Sequence, residues 1–98
     1  MIIKVRKIGN SAGIILSKTI LEQCAIKDEV KNTIIVASLT STVRNYPTRV
    51  NCFVDGKNGQ VALDQLRTVD KIRLSNKIAT LDQQTEVQVL ETLVEMFS

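Results

Sequence analysis

The run Thr33-Ile34-Ile35-Val36-Ala37-Ser38-Leu39 constrains the fold of this chain more than any other segment. Its β-branched residues predict a strand, and the lack of polar alternation predicts that both faces of this strand are buried. An unpaired strand with such a surface would leave an aggregation-prone edge. We therefore expect the rest of the chain to supply β-strands beside it.

A predicted hairpin follows this strand. Pro47 should end the hydrogen-bond ladder in the loop Asn45-Tyr46-Pro47, and residues 49–54 alternate as a strand with one exposed face does. The turn signal Asp55-Gly56-Lys57-Asn58-Gly59 predicts a hairpin with Gln60-Val61-Ala62-Leu63. Further strands are predicted at residues 66–69 and 77–81, with a turn or helical bend around residues 71–74.

The last segment has the signals of an amphipathic helix. Asp82 is a suitable N-cap, and the apolar residues after it recur at helical spacing. The predicted buried stripe consists of Val87, Leu90, Leu93, Val94 and Phe97, widened by Val89 and Met96.

The N-terminal segment predicts a second hairpin and a short helix. Residues 2–8 and 14–16 have the composition of strands, and Gly9-Asn10-Ser11 between them is a turn signal because Gly and Asn tolerate positive φ. Ser17 is a suitable cap for a helix from Lys18 to about Gln23. The predicted fold class is therefore mainly β with α: a small β-barrel, one short helix and a C-terminal helix.

The charge of the chain is unevenly distributed. The net charge of +3 combines +7 in residues 1–81 with −4 in residues 82–98. A basic body is compatible with a polyanionic partner, although a solvated basic surface produces the same pattern.

The composition disfavours several kinds of site. The chain has no histidine, and Cys24 and Cys52 are not spaced as metal ligands, so buried thiols are the simplest interpretation. No apolar run reaches the roughly 18 residues that cross a bilayer, and we find no signal peptide. We expect one cytoplasmic domain over residues 1–98, without a cofactor, a metal or a membrane anchor.

The segment Lys7-Ile8-Gly9-Asn10-Ser11-Ala12-Gly13-Ile14-Ile15-Leu16-Ser17-Lys18 resembles the first strand, turn and second strand of MazE-type antitoxins in the AbrB-like DNA-binding family. Such a basic hairpin can neutralise phosphates and reach a base edge, whereas the alternative is an ordinary hairpin with solvated lysines. The predicted DNA contacts are Lys4, Arg6, Lys7, Asn10, Ser11 and Lys18. Ile15 stands where that family often has an arginine, and the family's later strands and acidic tail are absent.

Residues 33–98 resemble MazF/PemK-like toxins. The segments that carry this resemblance are Ile34-Ile35-Val36-Ala37-Ser38-Leu39-Thr40, the Tyr46-Pro47 loop and Val61-Ala62-Leu63-Asp64-Gln65-Leu66-Arg67-Thr68-Val69-Asp70. The resemblance implies a bent, usually dimeric barrel that cleaves RNA without a metal. In that family a threonine, and an arginine from a Gly-x-Arg-Pro motif between the first two strands, assist the attack of a 2′-hydroxyl on the adjacent phosphate. Thr40 aligns with the threonine, but the Gly-x-Arg-Pro motif is missing from this sequence, so we expect Thr40 to be a degenerate catalytic residue with a mainly structural role.

The missing arginine predicts weak catalysis or none. Loss of one positioned donor at a developing oxyanion typically lowers the rate by ~10²–10³. Arg44, Arg49 and Arg67 are the candidates to replace it and to contact RNA. An internal ion pair between Asp64 and Arg67, or a contact at the barrel mouth, is the structural alternative.

The two resemblances meet near Val30–Lys31, which predicts a hybrid of toxin and antitoxin. An antitoxin-like hairpin and helix over residues 1–30 would complete a toxin-like barrel over residues 31–98. We expect a catalytically inactive homodimer that binds DNA through the N-terminal hairpin. The alternatives are a MazF-like, metal-independent, sequence-specific endoribonuclease and a purely structural chimera. A MazE- or MazF-type protein is a further candidate partner.

Overall fold

The computed structural model describes residues 3–9, 11–23 and 33–97. Within these ranges the chain forms six strands, two α-helices and a 3₁₀ turn over Lys71–Arg73. The elements are β1 (Lys4–Ile8), β2 (Ser11–Leu16), α1 (Lys18–Gln23), β3 (Thr33–Thr40), β4 (Arg49–Val54), β5 (Lys57–Asp70), β6 (Leu74–Thr80) and α2 (Gln83–Met96). The prediction of a mainly β fold with a C-terminal helix is confirmed. Cys24 and the Val30–Lys31 junction lie outside the described residues.

The six strands form one antiparallel sheet in the order β4-β5-β3-β2-β1-β6. Strand β3 lies inside this sheet between β2 and β5, as its apolar sequence predicts. Its central residues Val36 and Ala37 are fully buried and belong to two different apolar clusters, one on each face of the sheet. The prediction that β3 is buried on both faces is therefore confirmed.

The hairpin between β4 and β5 has the tight turn that its sequence predicts. Asp55 and Gly56 have φ values of 52° and 75°, and two consecutive positive φ angles are typical of a type I′ turn. The prediction of two separate strands after this turn is wrong, because β5 continues over Lys57–Asp70. Its register against β3 shifts between the pairs Ser38–Ala62 and Ala37–Leu66, and this irregularity allows one strand to bend without ending.

Helix α1 begins as predicted. The backbone N–H of Ile20 donates a hydrogen bond to Oγ of Ser17 at 3.4 Å, and the side chains of Ile20 and Leu21 are buried in the main core.

Helix α2 begins after Asp82 as predicted, and its predicted apolar stripe is confirmed only in part: Val89 and Leu93 are buried in the core, and Leu90 and Met96 pack against it. Its buried residues are Thr85, Glu86, Val89 and Leu93, whereas Val87, Val94 and Phe97 of the predicted stripe are 44–47% exposed. The reason is a polar contact: the carboxylate of Glu86 accepts the backbone N–H of Ile3 at 2.8 Å. A buried carboxylate requires such a partner, so this bond turns Glu86 and its neighbours at helical spacing toward the sheet.

The described helices are too short or too polar for any of them to cross a membrane.

Candidate functional site

Thr40 lies at the end of β3, where the chain leaves the sheet. Its Oγ1 accepts the backbone N–H of Thr42 at 3.0 Å, so the loop after β3 folds back over the strand end. Thr40 also borders a cavity of about 230 Å³. The cavity has an apolar wall and a polar rim, formed by Val5, Ala12, Leu39, Thr40, Ser41, Cys52, Val54, Asp55, Lys57, Asn58, Gly59 and Ile78.

The loop after Thr40 is held to the sheet by a buried glutamine. Gln60, only 4% exposed, accepts the backbone N–H of Arg44 at 3.0 Å and donates to the carbonyl oxygen of Arg44 at 3.2 Å. The same amide donates to Oδ1 of Asn51 at 2.9 Å. Gln60 therefore binds Arg44 as a neighbouring strand would, through the backbone, while the Arg44 side chain stays exposed.

Arg49 is fully engaged in supporting the same loop. Its Nε and Nη2 donate to the two carboxylate oxygens of Asp64 at 2.7 and 3.3 Å, and its Nη1 donates to the carbonyl oxygen of Thr42 at 3.4 Å. The guanidinium also lies 5.4 Å from the ring centroid of Tyr46. A forked pair of this kind fixes the guanidinium plane. The predicted pair of Asp64 with Arg67 is wrong, because Asp64 pairs with Arg49.

The pKa of Asp64 lies below its usual value because the carboxylate accepts a hydrogen bond from Arg49. A depressed pKa stabilises the fold above the unfolded value of about 3.9, and that stabilisation is lost as the pH falls through the folded value. We expect Asp64→Asn to flatten the loss of stability below about pH 4, measured by urea denaturation at several pH values. An Asp55→Asn variant, altered in the exposed turn, is the control; equal slopes for wild type and Asp64→Asn would contradict this role of the pair.

Arg67 reaches a different part of the sheet. Its Nη2 donates to Oγ of Ser11 at 3.3 Å, and Oγ of Ser11 in turn donates to the carbonyl oxygen of Ile8 at 3.1 Å. Ser11 is the first residue of β2, directly after the N-terminal turn. The contact therefore brings the exposed guanidinium of β5 to the first hairpin.

The N-terminal hairpin does not protrude from the molecule. Strand β1 pairs with β2 on one side and with β6 on the other. Lys4 and Lys7 are exposed, and Nε of Arg6 donates to the carbonyl oxygen of Ser75 in β6 at 2.9 Å. Lys18 lies at the start of α1, at the far end of β2 from Ser11, and Asn10 lies outside the described residues. The predicted DNA contacts are thus spread over a sheet rather than along a free ribbon, and their binding to DNA stays a prediction.

One row of paired residues crosses the whole sheet. Its members, from one edge to the other, are Lys77, Arg6, Gly13, Ser38, Ala62 and Arg49. Directly opposed residues point to the same face, and so do residues two positions apart along a strand. Ser11 lies two residues from Gly13, and Thr40 two residues from Ser38. Ser11 and Thr40 are therefore on the same face, at the adjacent ends of β2 and β3.

No cluster of three or more His, Cys, Asp or Glu side chains that could hold a metal occurs among the described residues. Cys52 is half-buried beside the cavity and makes no disulfide; burial raises the pKa of its thiol, with a further contribution from the charge of Asp82. Thr40 and Ser11 carry hydroxyl groups, and Arg67 brings a guanidinium to Ser11; these groups can donate hydrogen bonds to an anionic ligand.

Sequence comparison identifies a family. The PemK-like, MazF-like toxins of type II toxin–antitoxin systems match residues 14–97. The chain belongs to this toxin family. The match begins at Ile14, inside the segment that we predicted to be antitoxin-like, and the comparisons give no support to a MazE or AbrB segment. A search among curated proteins finds no match.

Solved structures share the PemK/MazF-like fold over nearly the whole chain. The Mycobacterium tuberculosis toxin MazF-mt6 has a TM-score of 0.76 and 19% identity, and the match covers 96% of this chain and 95% of that one. A mycobacterial endoribonuclease has a TM-score of 0.71 and 20% identity, covering 95% of this chain and 85% of that one. Another, solved in complex with its cognate antitoxin, has a TM-score of 0.69 and 18% identity, covering 97% and 88%. Matches of this extent include the N-terminal hairpin, which therefore belongs to the toxin fold.

The contact between Arg67 and Ser11 is the feature of the site that sequence reasoning did not find. The two residues are 56 positions apart. One signal was available: Gly9, in the turn after β1, stands two residues before Ser11, which is the spacing of the glycine and the arginine in a Gly-x-Arg-Pro motif. The resemblance of the same segment to an antitoxin hairpin masked this spacing.

Proposed function

We propose that this chain is a MazF-type endoribonuclease toxin that cleaves RNA without a metal, at the face of the sheet that carries Thr40. The observation that carries the proposal is the family match from residue 14 onward, which includes residues 14–16 of β2. The hybrid interpretation expected inactivity because an antitoxin hairpin had displaced the first toxin strands. Because the family match reaches into β2, that reason no longer holds, although both the arginine and the proline of the Gly-x-Arg-Pro motif are missing.

The geometry around Thr40 supports this chemistry. Because Oγ1 of Thr40 accepts the N–H of Thr42, its hydroxyl hydrogen can be donated to a phosphate oxygen. In the proposed reaction the 2′-oxygen bonds to phosphorus and the bond to the 5′-oxygen breaks, leaving a 2′,3′-cyclic phosphate and a 5′-hydroxyl. Water accepts the 2′ proton and supplies the proton of the leaving group, so the donors of the chain need only stabilise the charge that develops on the phosphate.

Replacement of Thr40 tests the proposal. We expect Thr40→Ala to lower the cleavage rate by ~10²–10³, the usual effect of losing one donor to a developing oxyanion. Thr40→Ser, which retains the hydroxyl, should retain most of the activity. The measurement is gel analysis of a long transcript incubated with each protein, with and without EDTA. Abolition of cleavage by EDTA, or equal rates for Thr40→Ala and wild type, would argue against the proposed function.

DNA binding through the N-terminal hairpin is the competing function. Wild type and a variant of the hairpin test it. If the hairpin binds duplex DNA, affinity should fall steeply with salt and fall again in a Lys4/Arg6/Lys7→Ala variant. A chain that binds DNA in this way and cuts no RNA would favour a catalytically inactive DNA-binding protein.

We also propose that the protein forms a homodimer and is restrained by an antitoxin partner. Support for a partner comes from the exposed apolar side chains of Val87 and Val94 in α2 and of Phe97 directly after it. Further support comes from the related endoribonuclease solved with its cognate antitoxin. Sedimentation of the purified chain at micromolar concentration tests the dimer, and a monomer there would count against it.

A further inference from the structure

The first hairpin lies where the family's arginine would be expected. In the resemblance described above, that arginine comes from a Gly-x-Arg-Pro motif between the first two strands. Here β1 and β2 are joined by the turn that begins at Gly9, whose φ of 59° favours glycine, and the residue two positions later is Ser11. A serine side chain carries no charge and is too short to replace a guanidinium.

A guanidinium nevertheless reaches this position from another strand. Nη2 of Arg67 lies 3.3 Å from Oγ of Ser11, and Ser11 is held in turn by the carbonyl oxygen of Ile8. Ser11 and Thr40 lie at the adjacent ends of β2 and β3, on the same face of the sheet. The guanidinium of Arg67, which contacts Ser11, therefore lies on the face that carries the Thr40 hydroxyl. Arg67 is exposed, so a phosphate can approach it from solvent.

The other two candidate arginines are less suitable for this position. The charge of Arg49 is matched by a forked bond to Asp64, and its side chain is 6% exposed. The backbone of Arg44 is bound by Gln60, and among the described residues no contact directs its side chain toward β2. Arg67 is the candidate whose guanidinium the structure brings to the first hairpin.

We infer that Arg67 contacts the reacting phosphate beside Thr40, and that Ser11 is the positioning residue that holds it there. The inference rests on the proposed RNA cleavage. It assigns to a residue of β5 the positive charge that the arginine of a Gly-x-Arg-Pro motif would supply between the first two strands. Arg67 transfers no proton; it stabilises the negative charge of the phosphate oxygens while the bond to the 2′-oxygen forms and the bond to the 5′-oxygen breaks. The exchange of protons with water stays as described above.

Four variants test the inference by single-turnover RNA cleavage. Arg67→Ala should lower the rate by ~10². Arg67→Lys should fall between this variant and wild type, because lysine retains the charge but lacks the planar fork. Ser11→Ala should lower the rate about fivefold through loss of one hydrogen bond. Lys71→Ala, which removes an equal charge four residues away on the exposed 3₁₀ turn, is the control and should match wild type.

Rescue of the cleavage rate by a second substitution is a more specific test. Ser11→Arg restores an arginine at the motif position, so the double variant Ser11→Arg/Arg67→Ala should recover at least tenfold of the rate lost in Arg67→Ala. A merely structural role of Arg67 would not produce this recovery. Circular dichroism melting checks the fold of each protein, and Arg67→Lys carries the test if Arg67→Ala does not fold.

A binding measurement separates this inference from the proposed function. The probe is a mixed-sequence, fully 2′-O-methylated RNA, which cannot be cut, and its affinity is measured at several salt concentrations. Loss of one phosphate contact from a single strand should reduce the salt slope by about 0.7 in Arg67→Ala and leave it unchanged in Lys71→Ala. A wild-type protein that cuts nothing but shows this difference contradicts the proposed function and supports the phosphate contact. Equal slopes and equal cleavage rates for Arg67→Ala and Lys71→Ala would overturn the inference.

Discussion

Leu93→Ala is expected to lower the free energy of unfolding by about 2–5 kcal/mol, which is the range for truncating a buried leucine. Leu93 is fully buried in the main core, where α2 covers the sheet. A domain of this size has about 5–15 kcal/mol of total stability, so the variant should unfold at much lower urea concentration. The measurement is equilibrium urea denaturation followed by circular dichroism.

Val94→Ala is the matched control for this substitution. Val94 is the next residue of the same helix, but it is 47% exposed. Surface substitutions usually change stability by no more than about 0.5 kcal/mol. If the two variants lost equal stability, Val94 would have to be buried as Leu93 is, which would contradict the orientation of α2 in this structure. A dimer that covers Val94 would make the loss in this control depend on protein concentration.

Gly59→Ala is expected to disturb the candidate site directly. A Cβ at residue 59 would lie 2.8 Å from the carbonyl oxygen of Thr40, which is too close for a real contact, so the backbone at Thr40 must move. Overpacking of this kind costs about 1–3 kcal/mol. A displacement of about 1 Å at a catalytic group can lower a rate by about 10², so RNA cleavage should fall more than stability alone would explain.

The neighbouring variant Asn58→Ala separates the two effects. It shortens an exposed side chain of the same strand and adds no Cβ. Both proteins are compared by thermal melting and by RNA cleavage at a temperature at which both are folded. Full activity in a folded Gly59→Ala protein would show that the position of Thr40 does not limit cleavage.

Local features of the fold were predicted well from the sequence. The turn at Asp55–Gly56, the cap at Ser17 and the buried strand β3 depend on residues close together in the chain, whose conformational preferences act locally. The orientation of α2 was predicted only in part, because its apolar residues recur at helical spacing over more than one face. The bond between Glu86 and Ile3, 83 positions apart, decides which of these faces is buried.

The candidate site shows the same division. Thr40 was selected as a candidate from its motif, because the residues around it resemble the toxin family over a continuous segment, and its role stays a prediction. The contacts of the arginines around the site were not predicted, because composition cannot tell which arginine pairs with Asp64. The fold brings Arg49 to that carboxylate and leaves Arg67 for Ser11.

The sequence by itself determined the buried strand Thr33–Thr40, the turns on either side of the sheet and the position of Thr40 at a strand end. These follow from hydrophobic pattern and turn chemistry, which act over a few residues. Only the tertiary structure decided that the N-terminal hairpin is paired with other strands on both sides. It also decided that a guanidinium from β5 reaches the first residue of β2. The physical reason is that the pairing of distant strands is set by the packing of the whole sheet, and no local preference records it.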